Sequence, residues 1–376
     1  MPRYVLFNLL DGLILEEFDP VTGPWSVGIN EAEDLKVTID LNDDDEIRRN
    51  WRNLVSPWKT CLAVEQDGRW YGGPIQPRDW DEDDQTLTIT AKGIMSWLEM
   101  LYVAPPSAET AVIINATTKL PNPALNTTFS GVDLGTIIKK LVQQACSWPG
   151  AGIPIAYQAD RAGTATRMYE FLDYKTVASA IEDISKVLNG PEFRFELRQT
   201  DDTHLGWLLV TGTAAAPRLQ SPTIHSWDSA AIVPSASGVS EGSDPSEMAD
   251  IAFATGGRSA DTAMVARAVS TTLRNAGFPL MMKLDSSHSD VQIQATLNGY
   301  AAEALRTGSK EIRFRKFSAN AELAPFLNEY YPGDLCTVNV EGSGYLPDGA
   351  PERRIVKLSG DETGESIEIA LGEVYE

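Results

Sequence analysis

A recurrence constrains this chain more than any other feature. Pro57 to Val64 reads PWKTCLAV and Tyr330 to Val340 reads YYPGDLCTVNV, so in both places three residues separate a proline from a cysteine that opens an apolar run. The residues downstream are ordered alike. After Cys61 come an Asp67-Gly68 turn, an acidic turn at Asp81 to Asp84, and the alternating strand LTITAKG ending at Gly93. After Cys336 come Asp348-Gly349, the turn GDETG at Gly360 to Gly364, and IEIALG ending at Gly372. Matching turn chemistry and matching period-two alternation, in one order, are what a duplicated β-module leaves in a sequence. The expectation is two similar small β-barrels in which the Cys61 and Cys336 strands are equivalent.

The first of these begins near the N-terminus. DLKVTIDL sets Leu35, Val37, Ile39 and Leu41 on one face, and in LTITAKG the residues Leu87, Ile89 and Ala91 share a face. GIMSWLEML reads as a short helix, and the prolines of VAPPSAET mark a boundary. Beyond it the period becomes helical. DLGTIIKKLVQQAC carries a stripe of Leu134, Ile137, Ile138, Leu141, Val142 and Ala145 behind an Asp133 cap. TVASAIEDISKVLNG places Val177, Ile181, Ile184 and Leu188 on a face, with Asn189-Gly190 as a left-handed stop. EFRFELR and GWLLVTG read as an antiparallel pair, and IHSWD, MADIAFATGG and RAVSTTLRN as strands. A late helix lies within HSDVQIQATLNGYAAEALRTG, beginning about Asp290 and closing at Gly308.

The fold class expected is therefore mainly β with an α+β insertion. It places a barrel at residues 1–105, an α+β unit at 106–212, and a second barrel at 213–376, interrupted by a helix-containing segment at about 277–310.

At 376 residues the chain is long enough for several cores, and its nine Trp and eleven each of Phe and Tyr supply them. The formal charge of −22 opposes adhesion to phosphate backbones or anionic lipid. No apolar run approaches the roughly 20 residues of a membrane span, and the start, MPRYVLFNLLDGLILEEF, does not read as a signal peptide. Cys61, Cys146 and Cys336 are odd in number and widely spaced, as buried free thiols are.

The search for chemistry ends empty. His204, His225 and His288 have no metal-ligand spacing. DWDEDD at Asp79 to Asp84 has Asp84 where a calcium loop needs glycine and Thr90 where it needs glutamate, so it reads as a solvated hairpin tip. NDDDEIRRN reads as a charged turn leading into Trp51, and EGSGYLPDG as a glycine-rich loop between strands, without a helix N-terminus to hold phosphate. No nucleophile elbow, phosphate loop or dinucleotide fingerprint occurs. Among 53 acidic residues some carboxylate pair always falls at a catalytic separation, so a cell-wall hydrolase is a reading without located residues. Trp51, Trp58, Trp70 and Tyr71 offer a second reading, stacking on a sugar, although aromatic residues on strands more often fill cores. The expected catalytic, cofactor and metal residues are accordingly none.

The arrangement itself resembles a known family. WSVGINEAEDLKVTIDL, then NWRNLVSPWKTCLAVEQDGRWYGGPI, an acidic hairpin and LTITAKGIMSWLEML look like the first domain of phage tail-tip hub proteins, which are similar to the baseplate hub of contractile-tailed phages. FRFELRQTDDTHLGWLLVTG, ATGGRSADTAMVARAV, the late helix and YYPGDLCTVNV extend the resemblance over nearly the whole chain. It implies a structural virion protein at the tail tip. The implied assembly is a homotrimer whose six barrels form a ring between the hexameric tail-tube or distal tail protein and a threefold tip, with the tape measure protein and a central fibre as neighbours. DNA would pass through its lumen without specific binding, and no stable membrane insertion is implied. The rival reading outside this class is a carbohydrate- or receptor-binding surface protein.

Overall fold

Alternating side chains and tight turns build most of the molecule. The computed structural model describes residues 1–42, 44–259, 262–286, 288, 291 and 293–372. Its first part comprises strands β1 (Arg3–Asn8), β2 (Ile14–Phe18), β3 (Trp25–Gly28), β4 (Asp34–Asp40), β5 (Thr60–Gln66), β6 (Arg69–Asp81) and β7 (Thr86–Lys92). Two short helices, α1 (Asp44–Arg48) and α2 (Trp51–Leu54), lie between β4 and β5, and α3 (Met95–Leu98) follows β7. Asp67 and Gly68 both take positive φ in the turn joining β5 to β6, the geometry a two-residue hairpin loop demands.

The middle part comprises β8 (Thr127–Val132), α4 (Leu134–Cys146), β9 (Ile155–Tyr157), β10 (Ala162–Tyr169), α5 (Val177–Ser185), β11 (Phe193–Asp201) and β12 (His204–Thr211). Asp133 caps α4 by accepting the Thr136 amide hydrogen at 2.6 Å, and Thr176 caps α5. The expected stripes are buried, apart from Leu134, which is half-buried at the start of α4, and Leu188. Helix α5 ends at Ser185, so Leu188 lies beyond the last helical turn and is exposed, just before left-handed Asn189.

The last part comprises β13 (His225–Asp228), β14 (Ala236–Asp244), β15 (Ile251–Ser259), β16 (Thr262–Val269), α6 (Thr272–Asn275), β17 (Met282–Asp285), α7 (Gln294–Thr307), β18 (Ile312–Asn320), β19 (Leu335–Asn339), β20 (Glu352–Gly360) and β21 (Ser366–Gly372). RAVSTTLRN is a strand only through Val269; its remainder enters α6. The late helix closes at Gly308 as read, while Asp290, where the reading began it, is outside the described residues.

Strand pairing bears out the recurrence as a repeated topology. In the first part β5 pairs with β6, β6 with β7, β7 with β4 and β4 with β3; in the last, β19 pairs with β20, β20 with β21, β21 with β18 and β18 with β14, every pair antiparallel. Chain order agrees as well, since β2 through β7 take the places of β13, β14, β18, β19, β20 and β21. Strand β1 is the one addition. It is inserted antiparallel between β2 and β5, whereas β13 lies directly beside β19 and parallel to it. Two antiparallel steps amount to one parallel step, so β2 and β13 run in the same sense.

Side chains repeat the correspondence. Phe18 on β2 meets Trp51 edge-on at 5.3 Å and 82°, and Trp227 on β13 meets Tyr330 edge-on at 5.1 Å and 85°. Ile75 and Ile355, equally spaced from the turn residues Asp81 and Asp361, are fully buried, and each precedes a bulge. The carbonyl of Ile75 accepts the Trp58 amide and that of Ile355 accepts the Gly333 amide; both donors have positive φ. Asp81 and Asp361 each accept amide hydrogens from the second and third residues that come after them.

The two cysteines, however, are not equivalent. Cys61 stands opposite Pro74 and Leu335 opposite Arg354, so Cys336 takes the place of Leu62. Trp58 stands three residues before Cys61 whereas Gly333 stands two before Leu335, the equivalent position, and a one-residue slip turns a strand's side chains to the opposite face. The same register places Lys92, not Gly93, opposite the role of Gly372.

Neither ladder closes by strand pairing among the described residues. The first is open between β2 and β3, the second between β13 and β14. Instead β3 pairs with β20, joining both into one continuous sheet over a shared core that contains Val37, Ile75, Ile89, Phe317, Ile355 and Ile369. A second core lies on the other side of β1 and β5, where Phe7, Cys61 and Ala63 meet Ile138 and Leu141 of α4, Ile181 of α5 and Trp207 of β12. A third, smaller core sets α7 against β15 and β16.

Candidate functional site

The residues that chemistry could have recruited are dispersed. His204 is half-buried and paired with Asp201 at 2.9 Å; His225 is buried beside Trp227 and Tyr330; His288 is buried, stacked on Tyr300 with ring centroids 3.5 Å apart. No group of three His, Cys, Asp or Glu side chains suited to a metal occurs among the described residues. Burial pushes the Cys336 thiol up to about 12 and raises that of Cys61 well above its ordinary value, so both are poor nucleophiles at neutral pH. The Asp79 to Asp84 segment forms the β6–β7 tip, with Asp81 turned inward on backbone amides. Trp51, Trp70 and Tyr71 are buried, which leaves Trp58 alone of the four at the surface.

A cleft of about 580 Å³ opens where the first module, the middle part and the last part meet. Arg69 at the start of β6 and Arg194 on β11 both lie over the Tyr331 ring, 3.1 and 4.1 Å from its centroid. Arg69 also donates to the Asn328 carbonyl at 2.5 Å. Glu196 accepts from Arg194 at 2.6 Å and from Arg198. Nearby, Arg354 of β20 forms a two-pronged pair with Glu192 at 2.5 and 2.6 Å, and Glu192 also accepts the Leu219 amide. These contacts tie three distant stretches of chain together, and most of the charged groups are committed to one another.

Glu33, on the turn between β3 and β4, is the exception at the cleft's base. It is buried, accepts one amide hydrogen from Gly72 at 3.2 Å, and has its carboxyl pushed up to about 8 by desolvation. Sequence reasoning missed it. Its neighbours in space, Gly72 and Gly93, are glycines whose role emerges only when β4, β6 and β7 are assembled.

The seam between the modules is the other notable surface. Trp25 of β3 stacks on Tyr71 at 4.4 Å and lies against Gly360 of β20, where a Cβ would stand 2.7 Å from the indole. No larger residue fits at that crossing without displacing the ring.

Three solved structures share this architecture over essentially their entire length. A 43 kDa tail protein of prophage MuSo2 from Shewanella oneidensis aligns at a TM-score of 0.56 and 12% identity, covering 99% of this chain and 98% of that one. A tail protein from Neisseria meningitidis aligns at 0.56 and 13%, covering 98% and 96%. The fold is that of phage tail proteins. A prophage tail protein from Listeria monocytogenes agrees, at a TM-score of 0.50 and 12% identity, covering 100% and 95%. No family model matches the chain, and no curated protein matches it. At such low identity the tail-protein fold is carried by strand order and burial, so no residue role passes from those proteins to this one. No helix among the described residues is long and apolar enough to cross a membrane.

Proposed function

We propose that this chain is a structural component of a phage tail, a tip hub that assembles as a homotrimeric ring with pseudo-sixfold symmetry. The observation that carries the reading is the doubled six-strand module, found within a fold that phage tail proteins share from end to end. A ring needs like surfaces at each junction, and a chain with two like modules presents six of them in three copies. Such a ring matches a hexameric tail-tube or distal tail protein on one side and a threefold central fibre on the other, with the tape measure protein nearby. Each module acts as a barrel, bridged by chain rather than by pairing at the β2–β3 and β13–β14 breaks. The units of assembly are residues 1–105, 106–212 and 213–376, the middle unit and the segment around α7 lying outside the ring. A charge of −22 suits a lumen through which DNA slides without adhering. The role is structural, not enzymatic, and its place is the virion.

Light scattering of the purified chain tests this, with an expected mass three times 41.0 kDa. Negative-stain images of that species should show six lobes around a hole. A chain that remains single at every concentration, or forms only twofold particles, overturns the reading. The sugar-binding alternative loses its platform because Trp51, Trp70 and Tyr71 are buried.

A further inference from the structure

Within the chain the modules meet along one seam. There β3 runs antiparallel to the last four residues of β20, with Lys357 opposite Gly28, Leu358 opposite Val27, Ser359 opposite Ser26 and Gly360 opposite Trp25. The equivalence of the modules identifies where the same seam is left unmade. Strand β14 is the counterpart of β3, and β6 is the counterpart of β20.

Residue positions are fixed by the ladders. Trp25 faces Leu35, which faces Ala91; Glu241 faces Arg315, which faces Leu371. Ala91 and Leu371 hold equivalent places, being opposite Ile75 and Ile355. Glu241 to Asp244 therefore stand where Trp25 to Gly28 stand. By the same spacing, from Ile75 to Asp81 and from Ile355 to Asp361, Pro77 to Trp80 stand where Lys357 to Gly360 stand.

Both segments are free on the relevant edge. Among the described residues β14 pairs only with β18, and the Pro77 to Asp81 end of β6 pairs only with β7. Ser243, Asp244, Pro77, Asp79 and Trp80 are exposed. A hollow of about 350 Å³ lies beside the β6 edge, walled by Trp51, Val55, Trp80 and Leu87. An unpaired edge is a template for another strand, and these two are the counterparts of edges that pair within the chain.

We infer that β14 of one copy pairs antiparallel with the Pro77 to Trp80 end of β6 of the next, repeating between subunits the seam that β3 and β20 make within one. Asp244 then faces Pro77, and Glu241 faces Trp80. The inference rests on the ring reading and names the edges that would close it. The partner is a second copy of this chain, since the contact joins two different edges and so propagates from copy to copy, as a ring requires. Main-chain hydrogen bonds supply the attraction, as in other strand additions. Side-chain sizes fit in reverse order. Inside the chain the large residue, Trp25, is on β3 and the glycine on β20; between copies the large residue, Trp80, is on β6, and β14 offers Glu241, Gly242 and Ser243. Pro77 has no amide hydrogen to donate, but it sits in the bulge between Ile75 and Arg78, a position that tolerates proline.

Paired cysteines test the register. Directly opposed residues of an antiparallel pair have Cα atoms roughly 4.5–5.5 Å apart, within reach of a disulfide. Full-length chain carrying Pro77→Cys and Asp244→Cys is oxidised and run on a non-reducing gel. In a Cys146→Ser background, which leaves only the buried Cys61 and Cys336, the expected product is a covalent species of three chains, absent from either single variant and from the parent. A displaced pair, Pro77→Cys with Ser240→Cys, is about 13 Å out of register and should remain uncrosslinked. Light scattering of the same samples separates the outcomes. Trimers that do not crosslink overturn the edge assignment and leave the ring standing. Crosslinked chains that lengthen without closing at three support the edges and overturn the ring. Neither association nor crosslinking overturns both.

Discussion

The two modules share a strand order and differ in what surrounds them. Strand β5 of the first is buried on both faces, one toward the shared core with Leu62 and Val64 and the other toward α4 and α5 with Cys61 and Ala63. Its sequence, TCLAV, is accordingly apolar without alternation. Strand β19 of the second is buried on one face only, through Cys336 and Val338, and alternates as LCTVN. A parallel distinction appears in the connections. A short turn joins β3 to β4, whereas the chain between β14 and β18 carries a complete sheet-and-helix unit. One topology thus tolerates two burial regimes, because backbone pairing fixes the ladder while the neighbours decide which side chains are apolar.

The largest effect expected from this comparison concerns the core residues both modules share. Ile75→Ala and Ile355→Ala should each cost about 2–5 kcal/mol, because both side chains are fully buried and leave a cavity. Since they belong to one core, each variant should shift a single cooperative transition in denaturant. Two resolved transitions, only one of them displaced, would break the picture of joined modules.

A smaller effect isolates the turn that the second module replaces with its insertion. Glu33 has its carboxyl raised from 4.5 to about 8. The fold therefore favours the neutral form. Its contribution is fully present below about pH 4.5 and is lost as the pH rises through about 8. Glu33→Gln should abolish that loss. Between about pH 5 and pH 9 the wild type should lose on the order of 2–4 kcal/mol relative to the variant, read from urea midpoints. Parallel pH profiles for the two proteins would refute the desolvated-carboxyl account.

The smallest effect sharpens the equivalence itself. Asp81→Ala and Asp361→Ala each remove a carboxylate that accepts two backbone amides, so each should cost about 1 kcal/mol, with Asp361→Ala the costlier because Asp361 also accepts the Thr363 hydroxyl in a partly buried tip. Shifts in melting temperature of like sign and size sharpen the pairing of the two tips, and a shift at one tip with none at the other would break it.

Much of the fold was legible because short-range rules governed it. The Asp67-Gly68 hairpin, the faces of Leu35, Val37 and Ile39, and the Asp133 cap each depend on residues close in sequence. Leu188 departs from its expected face because its helix ends early, and Cys61 does not match Cys336 because one more residue lies between Trp58 and Cys61 than between Gly333 and Leu335. In the cleft, Arg69, Arg194, Glu192 and Arg354 left no signal. They come from four separate strands or loops, and their spacing in sequence bears no relation to their contact.

The order of strands, their turns and the existence of two similar modules were written in the sequence, since alternation and left-handed turn residues act through neighbours along the chain. That the modules merge through β3 and β20, that one is sandwiched between two cores, and which edges stay unpaired were decided only by the tertiary structure. Those outcomes depend on surfaces meeting across hundreds of residues, and burial there is a property of the partner as much as of the strand.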